Sequence, residues 1–318
     1  MRSLLLIMLA SGCMGGEGMN TYVPTDGYGA NVECTPETCA IATGATLELE
    51  VEYYETDLSY AVKPERVIIE PEGVIETVSI SDKVRVRALA PGDVAMTFEK
   101  MGSDRVYSVT QHFQVRDIAS VQVVPVRDEA LVLAPDDRLR VIDGSTITLR
   151  ADRYGSAGEY LFGATQEPWT ASPGATLTLI GTTGTQKKLE VHGVGSLDVS
   201  FGLGTLPVDV VPVTDVARVE LRLEDEHPSE SSYPSIVAGD GQTLRVPDYY
   251  YGYVYVLDAY DASGHYVAGS GAPGDIAVDS PGIRALSVER SYDIYERRDQ
   301  VVTAKVGAVM SVVTVDFE

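Results

Sequence analysis

Positive charge is scarce in this sequence. Lys and Arg number 24 against 47 Asp and Glu in 318 residues, a formal net charge of −23. Phosphate backbones are held by basic surfaces, so the balance argues against a nucleic-acid partner. Cysteine is scarcer still. Three residues exclude a disulfide-dense mini-protein and leave few ligands for a thiolate metal centre. Long apolar runs are missing too. Leu4–Ala10 is short of the ~20 residues that span a bilayer, and no other run approaches that length. Helical periodicity is absent over any useful length. So are the common catalytic signatures. Gly193-Val194-Gly195-Ser196 misplaces the Ser of a nucleophile elbow. Gly181–Lys187 lacks the Gly-Lys-Ser/Thr core of a phosphate loop. Asp198 stands where a dinucleotide fingerprint needs its third Gly. His112, His192, His227 and His265 form no H-E-x-x-H and no pair at metal-ligand spacing. The reading is a non-enzyme without cofactor.

What is present is strict alternation. Leu47-Glu48-Leu49-Glu50-Val51-Glu52-Tyr53 sets apolar residues on one face and acids on the other, the pattern of a half-buried strand. Val84–Ala88, Leu189–Val191 and Val219–Leu223 repeat it, with Gly, Pro, Asp and Ser clusters between runs. The chain reads as all-β.

It also reads as repeated. Asp117-Ile118-Ala119-Ser120-Val121 returns as Asp215-Val216-Ala217-Arg218-Val219. Gly44-Ala45-Thr46-Leu47, Gly144-Ser145-Thr146-Ile147 and Gly241-Gln242-Thr243-Leu244 align at similar spacing. Asp152, Tyr154, Gly158, Tyr160 and Gly163 recur at one constant offset as Asp258, Tyr260, Gly264, Tyr266 and Gly269. The third copy carries an insertion before Asp258. A period of ~100 residues with many short strands is the size of an Ig-like sandwich.

The N-terminus combines Arg2, the apolar Leu4–Ala10 and the small residues Ala10-Ser11-Gly12 before Cys13. This segment resembles a bacterial lipoprotein signal, with Leu9-Ala10-Ser11-Gly12-Cys13 as its lipobox. The resemblance implies cleavage before Cys13, lipidation of Cys13, and a place in the cell envelope. Met14 after the cysteine favours the outer membrane by the same analogy. Several acyl chains anchor firmly where one does not. Residues 14 to about 40, rich in Gly, Thr and Pro, read as a flexible tether. At its end Cys34 and Cys39 sit close enough to oxidise together outside the cytoplasm, a local clamp worth about 2 kcal/mol.

The order of features in the repeats resembles bacterial Ig-like (Big-type) modules. Gly144–Leu149 corresponds to the opening strand, Asp261-Ala262-Ser263-Gly264 to the early D-x-x-G loop, and Trp169 with Ser172-Pro173-Gly174 to the Trp before a turn. Ala88-Leu89-Ala90-Pro91-Gly92 corresponds to the lead into a closing strand. The resemblance covers about residues 41–318. It implies tandem Ig-like β-sandwich modules at 41–117, 118–213 and 214–318, after a signal peptide at 1–12 and a lipidated tether at 13–40.

Two features carry candidate binding. In Tyr249-Tyr250-Tyr251-Gly252-Tyr253-Val254-Tyr255 a strand would place Tyr249, Tyr251, Tyr253 and Tyr255 on one face. If the Val face packs inward, those tyrosines form an exposed ladder for a protein or glycan. Cross-strand tyrosines that only stabilise the sheet are the alternative. Asp258 and Asp261 are calcium candidates, since the ion takes several oxygen ligands. The same segment reads equally as a plain turn in which Asp bonds its own backbone. The expected whole is a lipid-anchored envelope protein acting as a spacer or interaction rod, its membrane contact made through the anchor. The alternatives are a surface adhesin or carbohydrate-binding lipoprotein using the Tyr ladder, and a periplasmic subunit that pairs through sheet edges.

Overall fold

The computed structural model of the chain describes residues 18–22, 40–55, 58–81, 83–102, 105–126, 133, 136–165, 167–180, 186–225, 236–246, 253–270, 276–279, 283–285, 291–294 and 298–317. Cys13, Cys34, Cys39, Tyr249 and Tyr251 lie outside these. The described residues form strands throughout, with one 3₁₀ turn at Val213–Asp215. None of their helices is long and apolar enough to cross a membrane. The chain divides into two compact units.

The first unit holds β1 (Gly18–Tyr22), β2 (Ala40–Ala42), β3 (Thr46–Glu55), β4 (Leu58–Ala61), β5 (Arg66–Glu70), β6 (Ile75–Ile80), β7 (Lys83–Ala88), β8 (Gly92–Met101) and β9 (Val106–Arg116). One sheet runs β1-β3-β7-β6, with β4 also beside β3. The other contains β2-β9-β8-β5. Alternation dictates which side faces in. Leu47, Leu49, Val51 and Tyr53 of β3 are buried, as are Val84, Val86 and Ala88 of β7, while Glu48, Arg85 and Arg87 stay in water.

The second unit begins with β10 (Ser120–Pro125), β11 (Leu139–Ile142), β12 (Thr146–Tyr154), β14 (Trp169–Ala171), β15 (Ala175–Ile180), β16 (Gln186–Val191), β17 (Gly195–Phe201) and β18 (Gly204–Val211), while β13 (Leu161–Phe162), between β12 and β14 in sequence, is grouped with the first. It continues with β19 (Val216–Asp225), β20 (Ile236–Ala238), β21 (Thr243–Val246), β22 (Tyr253–Asp261), β23 (Ile276–Asp279), β24 (Ile283–Ala285), β25 (Ser291–Ile294), β26 (Gln300–Val306) and β27 (Val309–Phe317). Its sheets are β10-β12-β16-β15 with β11-β18-β17-β14, then β20-β19-β22-β25-β24 with β21-β27-β26-β23.

Each pair of sheets follows Ig logic. The opening strand is divided between the two layers. β10 pairs antiparallel with β12, and the chain then crosses to β11, which pairs parallel with β18. β1 and β2 divide in the same way between β3 and β9, and β19 and β21 between β22 and β27. The chain is therefore all-β, built of Ig-like sandwiches. Segment 161–163 is grouped with the first unit, where β13 adds a parallel strand to β2, Phe162 opposite Ile41.

One alignment in the sequence needs correction. Gly44 and Gly144 close turns that lead into β3 and β12, the second strand of each sandwich. Gly241-Gln242-Thr243-Leu244 instead leads into β21, which pairs parallel with β27. The turn itself is the same. Gly44, Gly144 and Gly241 all have positive φ, and Ala45, Ser145 and Gln242 donate to the carbonyl three residues back. The counterpart of β12 is β22, at the constant offset of the Asp and Tyr residues. The inserted segment thus lies between the repeated turn and the strand that normally follows it.

Candidate functional site

β22 is the strand that carries the candidate residues. It runs antiparallel to β19, with Tyr255 opposite Leu223, Leu257 opposite Leu221 and Ala259 opposite Val219. This register overturns the exposed ladder at Tyr255. That residue is 0% exposed and belongs to the apolar cluster with Leu221, Leu223, Leu257 and Ala259. The physical reason is strand parity. Leu257 and Ala259 share the face of Tyr255, while Asp258 shares the face of Val254 and Val256. The longer apolar stripe sets the inner face, and the tyrosine goes with it. Val254 and Val256 are buried as well. Burial pushes the Tyr255 phenol above its ordinary range. Tyr253 opens the strand opposite Asp225.

Asp258 is buried, and its carboxylate accepts a fork from Arg222 on β19, Nε to Oδ2 at 2.7 Å and Nη2 to Oδ1 at 3.1 Å. Its counterpart Asp152 is also buried and accepts a fork from Arg150, two residues earlier on its own strand. The acid is kept at the constant offset while the arginine comes from a different strand. Fork pairing is the usual means of keeping a carboxylate out of water. Asp261 is committed elsewhere. Its Oδ1 accepts from the amides of Ser263 (2.8 Å) and His265 (2.9 Å), and its Oδ2 faces His265 Nδ1 at 3.2 Å. Burial raises the Asp261 pKa, but these amides and His265 outweigh it and hold the carboxyl below its usual value. The two aspartates stand on opposite faces of β22, each with partners of its own, and the plain-turn alternative describes Asp261. Among the described residues no three His, Cys, Asp or Glu side chains come together to hold a metal. An open groove of about 500 Å³ is lined by Lys63, Pro64, Glu65 and Ile80.

The loop after β22 is what the repeated residues build. Asp261 N donates to His265 O and Gly264 N to Asp261 O, with Gly264 at φ +84°. Tyr260 and Tyr266 meet across this hairpin edge to face, 5.7 Å apart. The Arg218 guanidinium covers Tyr260 at 4.4 Å. The earlier copy is the same object. Tyr154 and Tyr160 pair edge to face at 5.9 Å, Gly155 N donates to Glu159 O, and Gly158 has φ +81°.

Beyond the hairpin, the chain docks on the preceding sandwich of the second unit. Ala268 N donates to Arg140 O (2.8 Å), and Ile142 N donates to Ala268 O (3.1 Å). Thr146 and Ser270 exchange both backbone bonds, at 2.8 and 2.9 Å. Tyr260, Tyr266 and Ala268 enter the apolar cluster of Leu139, Val141, Leu149 and Phe201. In return Ile142 enters the cluster of Leu221, Leu244 and Val315. Gly269 lies so close that a Cβ there would stand 1.9 Å from Ser145 Oγ. Gly163 occupies the same place in the first unit, where a Cβ would meet Ala45 Cβ at 2.9 Å. The sequence pattern was read as a repeat, and the part this loop plays between sandwiches was missed. The signal was there, in five residues recurring at an unbroken offset.

No family model matches the chain, and no curated protein does. Solved structures do. Domains 4–9 of the surface layer protein SbsC match at 15% identity and a TM-score of 0.33, covering 94% of this chain and 47% of that fragment, so the chain spans about half of its length. The Escherichia coli adhesin FdeC matches at 10% identity and a TM-score of 0.25, covering 95% of this chain and 99% of the other. Invasin, a bacterial integrin-binding protein, matches at 12% identity and a TM-score of 0.23, covering 95% of this chain and 60% of the other. At these scores the likeness carries no weight for what the chain does.

Proposed function

We propose that this protein is a lipid-anchored component of a bacterial cell envelope, held at Cys13, whose Ig-like sandwiches serve as a non-enzymatic spacer and interaction scaffold. The observation that carries the reading is the docked loop in the second unit. Each of its two sandwiches has an interior cluster of buried apolar side chains, and the loop links them by backbone hydrogen bonds and exchanged apolar residues. Such construction holds a fixed spacing between the two sandwiches. The lipobox motif supplies the address, and the acidic composition keeps the sandwiches off anionic lipid heads.

Two measurements test the two halves. Cells expressing the chain are fed an alkyne fatty acid, and the protein is captured and probed. Label is expected on the natural chain and absent from Cys13→Ala. Label-free natural protein released in soluble form would sink the anchor. Protease added to intact cells, and then to cells with an opened outer membrane, reports which way the sandwiches face. Cleavage in intact cells favours the adhesin form of the scaffold, and cleavage only after opening favours a periplasmic assembly.

A further inference from the structure

The loop from Asp261 to Ser270 does more than touch its neighbour. We infer that it is a folding clasp, which makes the two sandwiches of the second unit form and fail together. This goes beyond the scaffold reading and does not depend on where the chain is anchored.

The inference starts from what each sandwich lacks without the other. The cluster around Leu139, Val141 and Phe201 is completed by Tyr260, Tyr266 and Ala268, all from the following sandwich. The cluster around Leu221, Leu257 and Val315 is completed by Ile142 from the preceding one. Each core would be open to water at one end if its partner unfolded. The backbone carries the same message. Ile142 and Thr146 flank the turn between β11 and β12, and their amides end on Ala268 and Ser270. Unfolding the later sandwich would orphan those amides at a turn whose Ser145 is fully buried.

The fit is specific. Ser145 is pinned by its Oγ, which donates to Ile142 O at 2.6 Å and forms the ledge directly beneath Gly269. Gly269 has φ +109°, a conformation that L side chains rarely adopt, and it has no room for a Cβ. Gly163, at φ +98° against Ala45, repeats the pairing of a small ledge residue with a Cβ-less partner. A loop that merely brushed a neighbour would not need the same two features at both places.

The chain supplies its own reporter. Trp169 is its single tryptophan, and it packs on Phe201 at 5.0 Å in the earlier of the two sandwiches. Val313 is fully buried in the later one. The full chain and its Val313→Ala variant are unfolded by heat. Trp169 fluorescence is followed alongside hydrogen exchange of peptides covering β26 and β27. The expected result is that Val313→Ala lowers the Trp169 midpoint by roughly 5 °C or more, together with loss of protection in β26 and β27. An unchanged Trp169 midpoint, with β26 and β27 opening earlier, overturns the clasp. Gly269→Val is expected to split the transition in two. A single unsplit transition at the natural midpoint also overturns it. Should either variant fail to fold, hydrogen exchange of the natural chain decides. Amides of Ala268 and Ser270 exchange as slowly as those of β12 if the clasp holds, and at loop rates if it does not.

Discussion

Asp258 shows how much one buried side chain can carry. Its carboxylate is buried and forked by Arg222, so removing it strips that fork from a buried arginine. Asp258→Ala is expected to cost about 3–5 kcal/mol, read as a fall in the denaturant midpoint. Two titrations belong to the same scale. Asp209 accepts a fork from Arg138 and a bond from Ser196 Oγ, and its pKa is lowered to about 2 from 3.8, with the Arg138 hydrogen bonds as the main cause. A lowered pKa stabilises the fold above the unfolded value and is lost as protons arrive. The Asp209 contribution is therefore full above pH 3.8 and fades toward about 2. Arg138→Met is expected to flatten the stability of the Trp169 sandwich over that interval, measured by fluorescence. Tyr260 runs the other way. Burial, then the nearby charges of Asp258 and Glu220, push its phenol up to about 12 from 10.0. A raised pKa leaves the fold unaffected below 10.0 and costs stability as pH climbs from there toward about 12. Ultraviolet titration is expected to find Tyr260 silent at pH 11 in the native chain and ionised after unfolding.

At the scale of strands and turns, alternation was legible wherever one face is wet. Leu47–Tyr53 and Val84–Ala88 follow the pattern read for them, because acids or arginines mark the outer side. β22 defeated the same logic because both of its faces are dry. With no solvated side chain to mark the outside, a tyrosine stripe and a valine stripe look equally exposed until Leu257 and Ala259 are counted with Tyr255. The repeated turn before β21 misled for a different reason: a turn's hydrogen bonds are local, so the same residues can close it ahead of a different strand. Glycines in turns illustrate how position sets cost. Gly204 begins β18 with a Cβ position 2.7 Å from Val121 O, a backbone atom that cannot swing aside. Gly264 has open space around it but sits at φ +84°. Gly204→Ala is expected to lose about 1–3 kcal/mol through steric overlap. Gly264→Ala is expected to lose only about 1–2 kcal/mol through backbone strain. Thermal midpoints of the two variants test the order.

At the scale of the whole chain, the net charge of −23 sets a repulsion that every sandwich must overcome. Screening shortens from roughly 30 Å at 0.01 M salt to about 8 Å at 0.15 M. The thermal midpoint is expected to rise with sodium chloride over that range, and a fall would mean that local ion pairs such as Arg138–Asp209 outweigh the global repulsion. The docked loop has a consequence for how such a chain can grow. Its residues keep one offset from copy to copy, while the segments ahead of β21 and β22 have changed length. The part of a repeat that must fit a neighbour is held to its spacing, and the part that answers only to its own sheet is free to drift. A gene duplication that copies the ledge and the loop together delivers a new copy ready to join the array at both ends, whereas one that separates them delivers a misfit.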